Sequence, residues 1–360
     1  SDKLSFDGKA TYFTQELNNR VNLGSEGVLG YVYYMPRSVD VNDLKTYQMD
    51  SPSLYDPNSG LSDYDVISYS GSGKSIGNPY WIQYEDINDQ RRDRFIGFGK
   101  VDYQFTDWLS AFIRVGGDIT NVRTDFINPV GHHFNRYGRV EFNTDKYTEM
   151  NSDFLITANK DFGEKINLTA NVGGNLSKRT AERMGVVGSQ FKIPTRALLA
   201  NTNIQSSTHT PMETKKVNSL YGSVSLGYDN FMYLDLTARN DWSSTLAADN
   251  RSYFYPSASF AILLDRFIDP ERNVVDMFKL RTSWAEVGND TGVYQLYQTF
   301  DVPQQGYLGL TTLSAPDIRY NEDLKPESVK SIEFGAEGRF FKNRLYFDFS
   351  AYTITTNDMI

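Results

Sequence analysis

The stretch SIEFGAEGRFFKNRLYFDFSAYTI, Ser331 to Ile354, has the pattern of two strands joined by a tight turn at Lys342-Asn343. Strict alternation of apolar and polar residues predicts strands with one apolar face. The apolar positions are Ile332, Phe334, Ala336, Phe340, Leu345, Phe347, Phe349 and Ala351. An isolated hairpin with an apolar face and an open edge is not stable in water. What covers this hairpin therefore determines the class of protein.

Composition excludes several classes. The 360-residue chain is 39% hydrophobic but 14% aromatic, with 24 Tyr and 23 Phe, which is too rich in aromatics for a disordered chain. Its net charge of -9 argues against a nucleic-acid partner, because phosphate binding needs a basic surface. The absence of cysteine excludes disulfides and thiolate metal sites. No apolar run approaches the length of a transmembrane helix, although membrane β-strands produce no such run.

The same alternation recurs along the chain and predicts about eleven strands, with Leu4–Leu17 as the first. The clearest example is INLTANVGGNL, in which Ile166, Leu168, Ala170 and Val172 share one face. Helical periodicity is almost absent. The sequence therefore predicts an all-β fold.

The connections between these strands alternate between short and long. Short turns are predicted after Phe105, Phe162, Tyr228 and Phe341, with one longer link on that side from Leu264 to Met277. Long connections are predicted at Glu16–Arg91, Arg123–Asp145, Thr180–Met212, Asp241–Ser252 and Gly288–Glu327. Strands of about 10 to 12 residues, tilted, cross an apolar band of about 25 Å. This asymmetry predicts a transmembrane antiparallel up-and-down β-barrel with short periplasmic turns and long external loops.

The polar faces of the predicted strands carry charges of both signs, which suits a hydrated barrel lumen better than a dry core. The predicted lumen residues are Lys100, Asp102, Gln104, Ser110, Arg114, Asn167, Thr169, Asn171, Asp235, Thr237, Arg239, Glu333, Glu337 and Arg339. Aromatic residues gather at the short-turn ends, where an interfacial girdle lies in membrane barrels. The alternative from pattern alone is a soluble all-β protein with half-buried strands and aromatic cross-strand pairs.

No motif supports an enzyme or a cofactor. SGSGKS, Ser70 to Ser75, ends like a phosphate-binding loop but lacks its first glycine and a following helix, so we expect a flexible loop. His132-His133 are predicted to be loop residues and not metal ligands, because adjacent side chains on an extended backbone point apart. No nucleophile elbow or HExxH motif is present. We therefore expect a protein without catalytic, cofactor or metal sites.

The stretch NPYWIQYED, Asn78 to Asp86, places Tyr80, Trp81 and Tyr84 among polar groups in a predicted external loop. Aromatic rings in such a setting stack on sugar rings or contact a protein partner. These three residues are the candidate substrate or partner contacts. The alternative is that they pack on the barrel rim.

Several segments resemble the barrel of SusC/RagA-type TonB-dependent transporters, in the order usual for that family. They are NPYW, DRFIGFGKVDYQFTDWLS, LDLTARNDWSSTLAADNRSYFYPSASFAI, KLRTSWAEVGNDT and NEDLKPESVKSIEFGAEGRFFKNRLYFDFSAY, within residues 78 to 360. The most specific are RNDWSS (Arg239–Ser244), NRSYFYPS (Asn250–Ser257) and LKPE (Leu324–Glu327).

The resemblance implies an outer-membrane barrel of about 22 strands, of which residues 1–360 supply about half. It implies active import of glycans or peptides, driven by the TonB complex through an N-terminal plug, with a SusD-like surface lipoprotein as lid. A homodimer of transporter-lid pairs is a further implied assembly. The plug and the C-terminal strands are expected to lie outside this chain. The alternatives are a passive porin and a soluble carbohydrate-binding or adhesin module.

Overall fold

The computed structural model describes residues 3–359 apart from residues 23, 25–26, 36, 38, 51–63, 67–68, 72–73, 272, 303–306 and 309. Eleven strands of the described residues form one antiparallel sheet, in which each strand pairs with its neighbours in the chain. They are β1 (Leu4–Leu17), β6 (Ile87–Thr106), β7 (Leu109–Val130), β8 (Tyr137–Phe162), β9 (Ile166–Phe191), β10 (Thr202–Tyr228), β11 (Met232–Ser243), β12 (Ser252–Leu263), β13 (Val275–Asn289), β14 (Glu327–Phe340) and β15 (Leu345–Asn357). The predicted strand number, the first strand and the up-and-down order are confirmed.

Smaller elements lie mostly between β1 and β6. They are α1 (Val28–Tyr34), a 3₁₀ turn (Asp43–Lys45), the two short strand pairs β2 (Gln48–Asp50) with β3 (Tyr64–Val66) and β4 (Tyr69–Gly71) with β5 (Lys74–Ile76), and α2 (Pro79–Tyr84). A second 3₁₀ turn (Leu199–Asn201) precedes β10, and α3 (Asp265–Ile268) precedes β13. None of the described helices has the length and apolar character needed to cross a membrane. The SGSGKS stretch forms the ends of β4 and β5, with residues 72–73 outside the described ones.

The predicted short turns are confirmed. Asp229 and Asn230 join β10 to β11 with φ of 48° and 57°. This pair of left-handed residues matches the right-handed twist of a hairpin, and Asp and Asn tolerate that conformation better than most residues. Gly163, with φ of 66°, serves the turn between β8 and β9. Phe341, Lys342 and Asn343 all have φ near 60°, and they close the hairpin of the opening stretch.

Two of the five predicted long connections are wrong. Residues 123–145 and 180–212 are mostly strand, and their connections shrink to residues 131–136 and 192–201. The strands β6 to β10 are accordingly 20 to 27 residues long, about twice the predicted length. Their outer halves lack apolar alternation because both faces there meet polar surroundings, while the backbone continues to pair with its neighbours. The other three long connections are confirmed.

The pairing register fixes which residues share a face. Lys100 lies opposite Arg114, which lies opposite Asp153, and this face is hereafter the polar face. Val101 lies opposite Ile113, on what is hereafter the apolar face. Large apolar side chains remain highly exposed on the apolar face: Ile113 is 63% exposed, Val172 55% and Phe334 61%. A soluble protein covers such a continuous band, whereas a membrane barrel presents it to lipid.

Ion pairs and side-chain hydrogen bonds connect neighbouring strands across the polar face. Arg114 bonds Asp153 at 2.9 Å between β7 and β8. Asn171 accepts from Thr157 at 2.7 Å and donates to Ser223 at 3.1 Å, joining β8, β9 and β10. These bonds run across the strands and reinforce the backbone ladder, as cross-strand pairs do in other sheets.

A small local core lies at the outer ends of β7, β8 and β9. Val130, Val140 and Phe191 are buried together there. Gly138 has φ of 83°, and a Cβ built on it would lie 2.5 Å from the Phe191 ring. Glycine is therefore required at this position both by its backbone conformation and by the packing of the ring.

A carboxylate introduced on the apolar face should destabilise the protein more than one introduced on the polar face. In the full-length protein, Val172→Asp on the apolar face should destabilise the membrane-inserted fold by about 1–2 kcal/mol, whereas its neighbour Asn171→Asp on the polar face should have little effect. The measurement is the fraction of heat-modifiable, folded barrel in outer membranes. Equal losses from the two substitutions would contradict the assigned faces.

Candidate functional site

Helix α2 forms within a segment that the sequence predicts to be an external loop. The Asn78 side chain accepts a hydrogen bond from the Tyr80 backbone N–H at 2.9 Å, and Pro79 occupies the first helical position. Asparagine at the N-cap followed by proline is a recognised helix start. Asn78 also donates to the Leu44 carbonyl at 3.0 Å, and so ties α2 to the first 3₁₀ turn. We call α1, this turn (Asp43–Lys45) and α2 the helical cap.

The three predicted contact residues have different environments. Trp81 is 2% exposed, Tyr80 is half-buried and Tyr84 is 66% exposed. The Tyr84 ring stacks with Tyr80 at 6.1 Å between centroids and with Tyr47 at 6.0 Å. The exposed tyrosine is thus held by neighbouring rings, while Trp81 lies beneath the surface.

Tyr47 belongs to this aromatic cluster and was not identified from the sequence. Its ring meets Trp81 edge-on at 6.3 Å, and its hydroxyl donates to Glu85 at 3.0 Å. Burial and the Glu85 carboxylate raise the pKa of Tyr47, so its hydroxyl remains a hydrogen-bond donor. It lies 34 residues before Trp81 in the chain, and no local pattern connects the two.

A cavity of about 340 Å³ lies between the helical cap and the outer ends of β7 and β8. Its strand residues belong to the polar face, since Asn128 lies opposite Arg139 and Phe126 opposite Glu141 in the same register as Arg114 and Asp153. The lining consists of Asn22, Tyr31, Asp86, Phe126, Asn128, His132, Phe134, Asn135, Arg139 and Glu141. The cavity therefore combines aromatic rings with charged and amide groups.

Hydrogen bonds fix His132 in this wall. Its Nδ1 accepts from the backbone N–H groups of Phe134 and Asn135 at 3.2 and 3.1 Å. The ring hydrogen consequently lies on Nε2, which faces the Asp86 carboxylate at 3.5 Å. Asn135 in turn donates to Asn128 Oδ1 at 2.8 Å.

Three polar atoms of the cavity residues are buried and have no hydrogen-bond partner in the described part of the chain. They are Asp86 Oδ1, Asn128 Nδ2 and Arg139 Nε. Asp86 is 5% exposed and Asn128 1%. A buried polar group without a partner is costly, so these three atoms raise the free energy of the cavity wall.

His133 lies behind the cavity and joins the cap to the strand ends. Its Nε2 shares a hydrogen bond with the Tyr31 hydroxyl at 2.7 Å. Burial, and secondarily the neighbouring His132, lower the pKa of His133 to about 4. The two histidine rings lie 4.5 Å apart, because residues 131–136 form a compact turn, so the expectation that they point apart is wrong. No group of three potential metal ligands occurs among the described residues.

The RNDWSS motif anchors the next external segment to the sheet. Asp290, directly after β13, accepts from Lys215 at 2.5 Å and from Ser243 of the motif. Lys215 also donates to the Thr291 carbonyl at 3.1 Å. Within the motif, Asp241 accepts from Arg239 at 2.8 Å and is 6% exposed. These bonds hold the start of the long connection between β13 and β14 against β10 and β11.

An antiparallel up-and-down sheet with a charged face and an exposed apolar face is the wall of an outer-membrane β-barrel. The chain belongs to the TonB dependent receptor-like β-barrel family, whose model matches residues 5–360. The expected TonB-dependent barrel and the outer-membrane location are thereby confirmed. This family consists of receptors and transporters, not enzymes.

Known relatives agree with this assignment. TonB-dependent receptor P3 of Formosa agariphila is 25% identical over 84% of this chain and 31% of that protein. TonB-dependent receptor P26 of the same organism is 23% identical over 100% of this chain and 39% of its own length. The chain thus spans less than half of these relatives.

Solved structures share this fold over the whole chain. The structure of the RagAB peptide transporter superposes with a TM-score of 0.79 at 21% identity, covering 100% of this chain and 39% of that one. At this identity the similarity shows a shared fold.

Acidification should loosen the contact between the helical cap and the 131–136 turn. Unfolded histidine takes up a proton near pH 6.5, whereas His133 in the fold does so near pH 4. The unfolded state therefore binds more protons in this window, and stability falls as the pH drops from about 6.5 to 4. Hydrogen exchange of amides 131–138, corrected for intrinsic rates, should accelerate over this range. The acceleration should disappear in His133→Gln. Its persistence in that variant would contradict the attribution of the pH effect to His133.

Removing the Asp290 carboxylate should release the β13–β14 connection. Asp290→Ala leaves Lys215 and Ser243 without their partner, and we expect a local destabilisation of roughly 2 kcal/mol. Trypsin cleavage after Arg319 should accelerate. Asp317→Ala, on an exposed residue of the same segment, is the control and should leave the rate unchanged. Equal cleavage in both variants would contradict the anchoring role.

Proposed function

We propose that this chain is the wall and external vestibule of a TonB-dependent importer that moves oligosaccharides or oligopeptides across the outer membrane. The observation that carries the proposal is the cavity at the outer end of the polar face. Its aromatic rings and its charged and amide groups, beside the exposed ring of Tyr84, form a surface suited to a polar solute entering the barrel. Family membership supports the TonB-dependent mode of transport.

The remaining strands, the plug and the partners are part of the same proposal. We expect about 22 strands in the complete barrel, with residues 1–360 as about half of its wall. A plug domain would couple the barrel to the TonB complex, and a SusD-like surface lipoprotein would cover the external end. A dimer of transporter-lid pairs is the proposed assembly. The length of the relatives, of which this chain matches 31% and 39%, supports a larger protein.

Within this proposal, Tyr80 and Tyr84 contact substrate or the lid directly, and Trp81 supports them from beneath. The stacked arrangement suits either a sugar face or the planar groups of a peptide. The polar residues that line the cavity, among them Arg139 and Glu141, then bond hydroxyl or amide groups of the solute.

The test measures the binding and uptake of labelled oligosaccharides and oligopeptides by the full-length protein with its lid. Tyr84→Ala and Asp86→Asn should each weaken substrate binding about tenfold, the effect of removing one contact worth about 1.4 kcal/mol. Tyr33→Ala, on an α1 tyrosine that is 92% exposed, is the matched control and should bind normally. Normal binding by both site variants would contradict the assigned site.

A passive porin is the alternative mechanism, and energy dependence separates the two. An importer of the proposed kind should stop when the TonB complex is deleted or the proton-motive force is collapsed. Uptake that continues under both conditions would favour the porin. Competition between unlabelled glycans and peptides then identifies the substrate class.

A further inference from the structure

Two lysines face each other on the apolar side of the sheet. Lys178 of β9 lies directly opposite Lys216 of β10. Lys178 lies two residues after Leu176, and Lys216 lies four residues before Leu220, so the period-2 alternation places both lysines on the same face as these leucines. That is the apolar face, where Leu176 and Leu220 are 60% and 51% exposed. Lys215 and Arg179, the next residues in the chain, belong to the polar face and form ion pairs there. The Lys178–Lys216 pair therefore projects outward, away from the lumen.

The pair lies at the outer border of the apolar band. One step further from the periplasmic turns, the residues of this face are polar, with Thr180 opposite Thr214. Asn218, one step inward, lies opposite Trp242, a tryptophan of the apolar face that is 38% exposed. Tryptophan is enriched where a membrane protein crosses from hydrocarbon to head groups. The two ammonium groups are thus at the level of the lipid head groups.

Like charges in directly opposite positions destabilise a strand pair. Neither lysine has a carboxylate within ion-pairing distance in the described part of the chain. Three other cations in the outer part of the apolar face do have one. Arg91 pairs with Asp93 at 3.0 Å, Arg123 with Asp125 at 2.9 Å, and Lys330 with Glu286 at 3.5 Å. The pair on β9 and β10 is thus an uncompensated double positive charge.

We propose that Lys178 and Lys216 bind the phosphate of a lipid head group in the outer leaflet of the outer membrane. A phosphate between the two ammonium groups turns their repulsion into two charge-assisted hydrogen bonds. The neighbouring Thr180, Thr214 and Asn218 place further polar groups on the same face beside it. Leu176 and Leu220 offer apolar surface to the acyl chains below. The proposal rests on the outer-membrane location and is independent of the transported substrate.

Native mass spectrometry of the full-length protein in detergent tests the proposal, with diphosphoryl lipid A and its dephosphorylated form as probes. The native protein should bind the phosphorylated form at least about tenfold more tightly, the factor that corresponds to one net charge-assisted bond. Lys178→Gln/Lys216→Gln should abolish this preference. The control Lys330→Gln, at the same border but on an ion-paired lysine, should keep it. A native protein without the preference, or a double variant that retains it, would overturn the proposal.

A second variant separates lipid binding from a structural role. Lys216→Glu places a carboxylate opposite Lys178, so the strands should pair at least as well as before. Its melting temperature without lipid should equal or exceed that of the native protein, while the preference for phosphorylated lipid disappears. A lower melting temperature in lipid-free Lys178→Gln/Lys216→Gln would show that the lysines stabilise the fold itself, and would also overturn the proposal.

Discussion

Backbone hydrogen bonding is the constraint on which the rest of this structure depends. A strand in hydrocarbon has no water to satisfy its N–H and C=O groups, so each strand must pair with a neighbour on both sides. The simplest solution is a meander in which every strand pairs with the next one in the chain, and β6 to β15 follow it without exception. The tight turns, such as the left-handed Asp229-Asn230 pair, are required to keep that order.

The two faces of the sheet follow from the same constraint. Once the backbone is paired, side chains alternate between lipid and lumen, so apolar residues such as Val172 and polar ones such as Asn171 occupy adjacent positions. Lumen-facing polar groups then bond across strands, as Asn171 does with Thr157 and Ser223. Beyond the membrane the alternation is no longer imposed, yet pairing continues. This is why β8, β9 and β10 extend far past the predicted strand ends.

The sequence alone predicted only part of the candidate site. Tyr80, Trp81 and Tyr84 stood out as aromatics among polar residues, and their helix had a readable start in Asn78-Pro79. Their separate roles depend on burial, which a local pattern does not specify. The cavity was not predicted, because Asp86, Asn128 and Arg139 come from three separated segments and meet only when the helical cap packs against the strand ends.

By itself, the sequence determined the strand number, the short turns and the side of the sheet on which each residue of the membrane band lies, because period-2 alternation is imposed residue by residue by the bilayer. The family motifs were also recognisable in the sequence, but the contacts that they make were not. Only the tertiary structure decided that RNDWSS holds Asp290, that Tyr47 joins the tyrosines of α2, and that Lys178 meets Lys216. Those contacts join residues 37 to 47 positions apart along the chain, and pairing register and loop packing, not local pattern, bring them together.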